Sequence, residues 1–216
     1  MTIARFHVRA VLFDWDGTLL DSFGADSAAY LAMFRALGLA WDASDFKRYY
    51  SPNWLRIYRA AGLSRAKWEQ ADRLWKRAYK LQSPELLPGA RAVLQKLNRD
   101  FLIGIVSSGS RWRVRSQIRK FELMQYMSAC ICSEDTARRK PDSAPLRAAL
   151  TKLQVDPQQA VFVGDAPEDI EMAKRAAVIP IGVLGPFPTR ARLRAAKPEL
   201  VLNSVGQLPK YLRPIQ

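Results

Sequence analysis

Five short apolar runs recur along the chain, at residues 10–13, 102–106, 129–132, 161–163 and 179–183. None alternates polar with apolar positions, the pattern expected of strands covered on both faces, as in a parallel sheet. Helical stripes lie between them. Val114, Ile118 and Phe121 share one helix face, and Leu146, Ala149, Leu150 and Leu153 share another. Strands alternating with helices predict βαβ units and an α/β fold with a Rossmann-like, doubly wound parallel sheet. Pro180 lacks a backbone donor, which points the last run toward a sheet edge.

Residues 22–85 break this rhythm. Tyr30, Leu31, Phe34 and Leu37 recur at helical spacing, as do Trp54, Leu55, Tyr58 and Ala61, and then Trp68, Ala71, Trp75 and Ala78. The segment reads as a small helical bundle inserted after the first strand, with its aromatic stripes used for packing. Asp45 and Ser64 are candidate helix N-caps. Pro88-Gly89 marks the return to the main domain. The expected division is therefore 1–21 with 86–216 as the core and 22–85 as the insert.

Composition narrows the chemistry. The 216 residues are 49% apolar, enough to build a core, and no apolar run approaches the length of a membrane span. The N-terminus lacks the shape of a signal peptide, so the expected location is cytoplasmic. His7 is the only histidine, and no zinc-hydrolase signature is present. Acid, base and nucleophile must then come mainly from carboxylates, hydroxyls and lysines. Cys130 and Cys132 alternate with apolar residues and read as buried strand positions, since two thiols do not complete a zinc shell. The net charge is +14, from 34 Lys and Arg against 20 Asp and Glu, which favours anionic partners.

Chemistry-bearing residues gather where the apolar runs end. The first ends in Asp14-Trp15-Asp16-Gly17-Thr18, the second in Ser107-Ser108-Gly109-Ser110, and the fourth in Gly164-Asp165-Ala166-Pro167-Glu168-Asp169. Ligands of open α/β sheets bind outside the carboxyl ends of the strands, so these residues converge on one crevice. Lys140 follows the third run by eight residues and reaches the same rim. Clustered carboxylates repel unless a cation neutralises them, and Asp14, Asp16 and Asp165 offer hard oxygens suited to Mg²⁺. Hydroxyls, loop N–H groups and an ammonium would hold phosphate oxygens. Asp14 could then attack phosphorus in line, and Asp16 exchange protons with the leaving oxygen and with water. Ser110 reads as a cap for the following helix, and Glu168 as a surface acid.

These residues resemble the haloacid dehalogenase superfamily, in its helical-cap branch typified by phosphoglycolate phosphatases. Four motifs appear in order: Asp14-x-Asp16-Gly17-Thr18, Ser107, Lys140-Pro141 and Gly164-Asp165-x-x-x-Asp169. The resemblance spans nearly the whole chain, Leu87-Pro88-Gly89 included. It implies that Asp14 is the nucleophile and Asp16 the general acid/base, with the Asp16 carbonyl, Asp14, Asp165 and Asp169 around Mg²⁺. It also implies that Ser107, Ser108, Gly109 and Lys140 bind the phosphoryl group, and that 22–85 is a cap. The second aspartate of the first motif favours phosphate over carbon–halogen chemistry. The chain departs from the phosphoglycolate phosphatase pattern at Ser108, where Asn is frequent, and at Ala176-Ala177-Val178, where Gly often follows the alanines.

The expected activity is thus Mg²⁺-dependent hydrolysis of a small phosphorylated, anionic metabolite. In the cap loop Tyr50, Asn53 and Arg56 are candidate specificity residues. A sugar-phosphate mutase shares the same parts and is the alternative. Arg111, Arg115 and Arg119 form a basic helical stripe, and Arg190, Arg192 and Arg194 a cluster, which together suggest nucleic-acid binding as a second alternative. No recognition motif accompanies them, so nucleic acid is disfavoured as a partner, as is a membrane. The default assembly is a monomer.

Overall fold

In the computed structural model, residues 6–215 are described. They fall into two units: the chain up to Leu20 together with its part from Leu86 onward, and Asp21–Glu85. In chain order the strands are β1 (Phe6–Val8), β2 (Ala10–Phe13), β3 (Leu20–Asp21), β4 (Glu85–Leu86), β5 (Leu102–Val106), β6 (Ala129–Ile131), β7 (Ala160–Gly164), β8 (Ile179–Val183), β9 (Leu200–Leu202) and β10 (Leu212–Pro214). The α-helices are α1 (Phe23–Ala36), α2 (Ala43–Tyr49), α3 (Trp54–Ala60), α4 (Trp68–Tyr79), α5 (Ala90–Leu97), α6 (Arg111–Lys120), α7 (Ala144–Leu153), α8 (Pro167–Arg175) and α9 (Arg190–Ala195).

The larger unit carries a six-stranded, wholly parallel sheet in the order β6-β5-β2-β7-β8-β9. Each apolar run serves two layers, because successive side chains point to opposite faces. Val11, Phe13, Ile103, Ile105, Val161 and Val163 pack with Leu94 and Leu97 of α5 and Val114 and Ile118 of α6. Leu12, Val106, Ile131 and Phe162 pack with Leu146 and Leu150 of α7 and Met172 and Ala173 of α8. This is the α/β, doubly wound architecture. The reversal of strand order around β2 opens a crevice beyond its carboxyl end, between the chains that leave β5 and β7.

One strand departs from expectation, and one residue has an unusual backbone. β8 is an interior strand, paired with β7 and β9, and not an edge. The Pro180 carbonyl accepts from Glu199 N at 2.9 Å, just where β9 begins, so the missing proline donor faces the open start of that pairing. Ala177, just past α8, has φ +59°, a left-handed conformation that favours glycine.

The smaller unit holds α1 to α4, with α1 packed along α4. Tyr30 sits at the centre of its core, with ring centroids 5.2 Å from Phe46, 6.0 Å from Phe34 and 6.0 Å from Trp75. The aromatic stripes are packing, as their spacing predicts. The cap of α2 is Asp42, not Asp45: Asp42 Oδ1 accepts from the N–H groups of Ser44 and Asp45, and Asp45 accepts in return from Asp42 N. The Asp45 side chain thus serves as the third-position acid of a capping box. Ser64 occupies an N-cap position, but only of a short 3-10 turn and without a side-chain bond.

Replacing Ala177 by Gly should raise stability by about 1 kcal/mol, because it relieves a left-handed Cβ without touching any partner. Equilibrium urea denaturation reads the change, and a lower midpoint in Ala177→Gly would contradict the backbone assignment.

Candidate active site

The first motif begins one residue beyond β2. Asp14 N donates to Val163 O at 2.8 Å, which extends the β2–β7 pairing to the acid itself. The chain then turns sharply, with Leu19 N and Leu20 N both donating to Trp15 O. Gly17 has φ +78°, and a Cβ there would lie 2.5 Å from Asp165 Oδ2. Only glycine meets both constraints.

Beyond β7, Asp165 is buried, and its carbonyl accepts from Thr189 Oγ1 at 2.7 Å. Asp169 stands in the first turn of α8, where its Oδ2 accepts from Ala166 N at 3.1 Å. Lys140 enters from the loop after β6. Its Nζ lies 2.7 Å from Asp14 Oδ1 and 2.7 Å from Asp169 Oδ1. The Lys140–Pro141 peptide is cis, and Arg175 Nη1 donates to Pro141 O at 2.8 Å. Four residues from three separate stretches of chain are thereby brought together.

Burial governs the charges. Removal from water pushes the Asp14 carboxyl up to about 7; Lys140 opposes this, and Asp169 and Asp16 add to it. Asp165 is raised well above the usual carboxylate range by burial, then by Asp14 and Asp169. Burial works against the Lys140 ammonium, yet Asp14 and Asp169 overcome it and hold the proton more tightly than in water.

The donor set fits a divalent cation. Carboxylate oxygens of Asp14, Asp165 and Asp169 lie within 4.8 Å of one another. Asp165 Oδ2 is buried and meets no hydrogen-bond donor among the described residues. A buried, unsatisfied carboxyl oxygen beside two further acids is the chemistry of a hard-cation site, and oxygen donors alone suit Mg²⁺.

The phosphate-binding candidates follow β5. Ser107 N donates to Ile131 O at 2.9 Å, and Ser107 Oγ accepts from Gly109 N at 3.0 Å. Ser133 N reaches Gly109 O at 3.0 Å, tying this loop to the one after β6. Ser107, Ser108, Ser133, Thr136 and Lys140 line a common cavity. Cys130 and Cys132 are free and buried, with their sulfurs 3.8 Å apart.

The Asp16 carboxylate does not join the acid cluster. It is bound by Arg113 of α6, with distances of 2.8 Å and 2.7 Å. Arg113 went unremarked in the sequence beside the stripe of Arg111, Arg115 and Arg119. The available signal was a polar pair, Arg113 and Gln117, on the flank of the apolar Val114–Ile118 face. The stripe itself is interrupted, because Arg111 pairs with Asp135 at 2.5 Å and Arg115 is half-buried. Ser110 makes no capping bond; Glu134 Oε2 accepts from Arg111 N at 2.8 Å instead. Glu168 is buried rather than on the surface, in the first turn of α8, where the helix dipole favours an acid. In the helical unit Asn53 caps α3 by accepting from Leu55 N, Tyr50 is buried against Phe46, and Arg56 is exposed.

The chain is similar to known proteins. The family model of haloacid dehalogenase-like hydrolases matches residues 11–183. The chain is 29% identical over 214 residues to the phosphoglycolate phosphatase of Synechococcus elongatus, covering 93% of this chain and 95% of that one. It is 25% identical over 206 residues to pyrophosphatase PpaX of Bacillus velezensis, covering 93% and 94%. The crystal structure of CbbY from Rhodobacter sphaeroides in complex with phosphate superposes with a TM-score of 0.81 at 23% identity, over 93% of this chain and 96% of that one. The protein belongs to the haloacid dehalogenase-like hydrolase family. It is an enzyme of the phosphoric monoester hydrolase class. No helix among the described residues is long and apolar enough to cross a membrane.

Asp14 and Asp165 bind protons more tightly in the fold than in the unfolded chain, whose carboxylates titrate near 3.8. Their contribution to stability is therefore complete at low pH and is lost as pH rises, for Asp14 toward about 7. Protein stripped of divalent cations should weaken across that window, and Mg²⁺ should raise Tm more at about pH 8 than at about pH 5. Thermal unfolding with EDTA or MgCl₂ at both pH values checks this; equal Mg²⁺ shifts would count against the acid cluster as the cation site.

Proposed function

We propose that this protein is a Mg²⁺-dependent phosphatase that hydrolyses a small phosphorylated metabolite through an aspartyl-phosphate on Asp14. The observation that carries the reading is the junction of Asp14 with Lys140, Asp165 and Asp169 at the carboxyl ends of adjacent strands. Asp14, Asp165 and Asp169, with the Asp16 carbonyl, would hold the cation. Bound there, Mg²⁺ supplies positive charge that lets an anionic carboxylate approach an anionic phosphate.

The remaining steps use the chain's own groups. Lys140, the Ser107 hydroxyl and the Ser108–Gly109 backbone hold the phosphoryl oxygens. An Asp14 oxygen forms a bond to phosphorus as the ester bond breaks, and Asp16 gives its proton to the departing oxygen. Asp16 then takes a proton from water. The water oxygen bonds to phosphorus, the Asp14–phosphorus bond breaks, and free phosphate leaves with Asp14 regenerated.

For the substrate, the relatives' names point to phosphoglycolate and pyrophosphate, and the resemblance adds sugar phosphates. We place selection in the inserted helical unit acting as a cap, with Arg56 and the 49–54 loop as contributors; Asn53 and Tyr50 act there by fixing the loop. The +14 charge steers anionic substrates, and the enzyme works as a cytoplasmic monomer without nucleic acid.

A screen of phosphoglycolate, sugar phosphates, nucleotides and pyrophosphate with Mg²⁺, reading released phosphate, should yield at least one good substrate. Asp14→Asn should lower kcat on it by about a thousandfold or more with the fold intact. EDTA should silence the enzyme and Mg²⁺ restore it. Turnover by Asp14→Asn near the parent level would rule out the nucleophile.

A further inference from the structure

Arg113 is 7% exposed, on a helix whose Arg111 and Arg119 are exposed. Its two terminal nitrogens bind the two oxygens of Asp16 in parallel, Nη1 to Oδ1 at 2.8 Å and Nη2 to Oδ2 at 2.7 Å. This fork-on-fork pairing fixes the plane of a carboxylate as well as its position. The guanidinium is held in turn. Nη1 also donates to Gln117 Oε1 at 3.2 Å, and the same oxygen accepts from Trp15 Nε1 at 2.9 Å. Trp15 is fully buried and separates Asp14 from Asp16 in sequence. One turn of α6 thus grips the first motif at two points.

The phosphate loop makes room for this arrangement. A Cβ at Gly109 would overlap Arg113 Nη2. An apolar side chain could fill the same space without the penalty of burying a charge. The arrangement buries a cation, and the carboxylate it pairs with through both terminal nitrogens is that of the proposed acid/base.

The geometry points to Arg113 as the positioning residue for Asp16, fixing the carboxylate that trades protons with the leaving oxygen. Arg113 acts through Asp16. The inference rests on the acid/base role given to Asp16 above. A plain structural brace between α6 and the Trp15 turn would slow all substrates alike. A positioning role instead scales with how much the departing group needs a proton.

The test compares the parent enzyme, Arg113→Met, Arg113→Lys, Asp16→Ala and the Asp16→Ala/Arg113→Met double variant. Each is assayed with an aryl phosphate, whose leaving group departs easily, and an alkyl phosphate, whose leaving group does not. The readout is kcat/KM, which reports the step that expels the leaving group. Arg113→Met should lower kcat/KM for the alkyl phosphate about 10- to 100-fold, against about threefold or less for the aryl phosphate. Arg113→Lys, a point charge in place of a fork, should fall between parent and Met. Added to Asp16→Ala, Arg113→Met should cause no further loss.

Equal losses on both substrates, an unchanged alkyl phosphate rate, or full additivity with Asp16→Ala would overturn the inference. If Asp16→Ala shows the leaving-group-dependent loss and Arg113→Met does not, the positioning role fails and the acid/base role stands. If Asp16→Ala spares alkyl phosphate turnover, both fail. Should Arg113→Met not fold, as judged by circular dichroism, Arg113→Lys carries the same comparison.

Discussion

The contact on which this structure turns is the Lys140 ammonium, 2.7 Å from each of two buried aspartates. Three carboxylates drawn from water into a small volume would repel one another and favour their protonated forms. One buried cation offsets part of that, and the raised Asp14 and Asp165 show that it does not offset all. The residual demand for positive charge is what makes the cluster suited to a divalent cation. Fold and chemistry meet at this point: β2 and β7 are neighbours in the sheet, and their ends deliver acids that one lysine must reconcile.

The precision of the arrangement comes from backbone. Asp14 continues the β2–β7 ladder, and Asp169 is fixed by Ala166 N in the first turn of α8. The Ser107 loop is pinned to the loop after β6 by Ser133 N. Side-chain freedom is thus removed by elements that also bury the apolar layers on both sheet faces. Stability of the core and geometry of the site are two readings of the same packing.

The sheet was legible because a doubly covered strand needs an unbroken apolar run, and five of its six strands were read from one. β9 was missed: Leu200–Leu202 is a short run between Glu199 and Asn203, and as the sheet's last strand it is only half-buried at Leu200 and Val201. The position of β8 was misread because proline was weighed without knowing which neighbour its nitrogen faced. In the site, residues at the ends of strands were visible as acids and hydroxyls in fixed order. Arg113 was not, because one arginine among several on a basic helix gives no sign of which way it points. Glu168 and the Asp42 cap went the same way: the side-chain type was plain, and its direction depended on packing.

The crowding around Asp165 has a consequence for variation. Gly17 has no space for a Cβ beside Oδ2, and a Cβ at Gly185 would overlap the Gly17 carbonyl oxygen and press on the same carboxylate. Gly164 is closed in the same way by the Asp169 carboxylate. Three positions that border the acid cluster therefore have no room for a side chain, however mild the exchange. A mutant library meant to broaden the range of accepted compounds gains nothing by sampling them, and its useful breadth lies in stretches of chain that carry none of these acids.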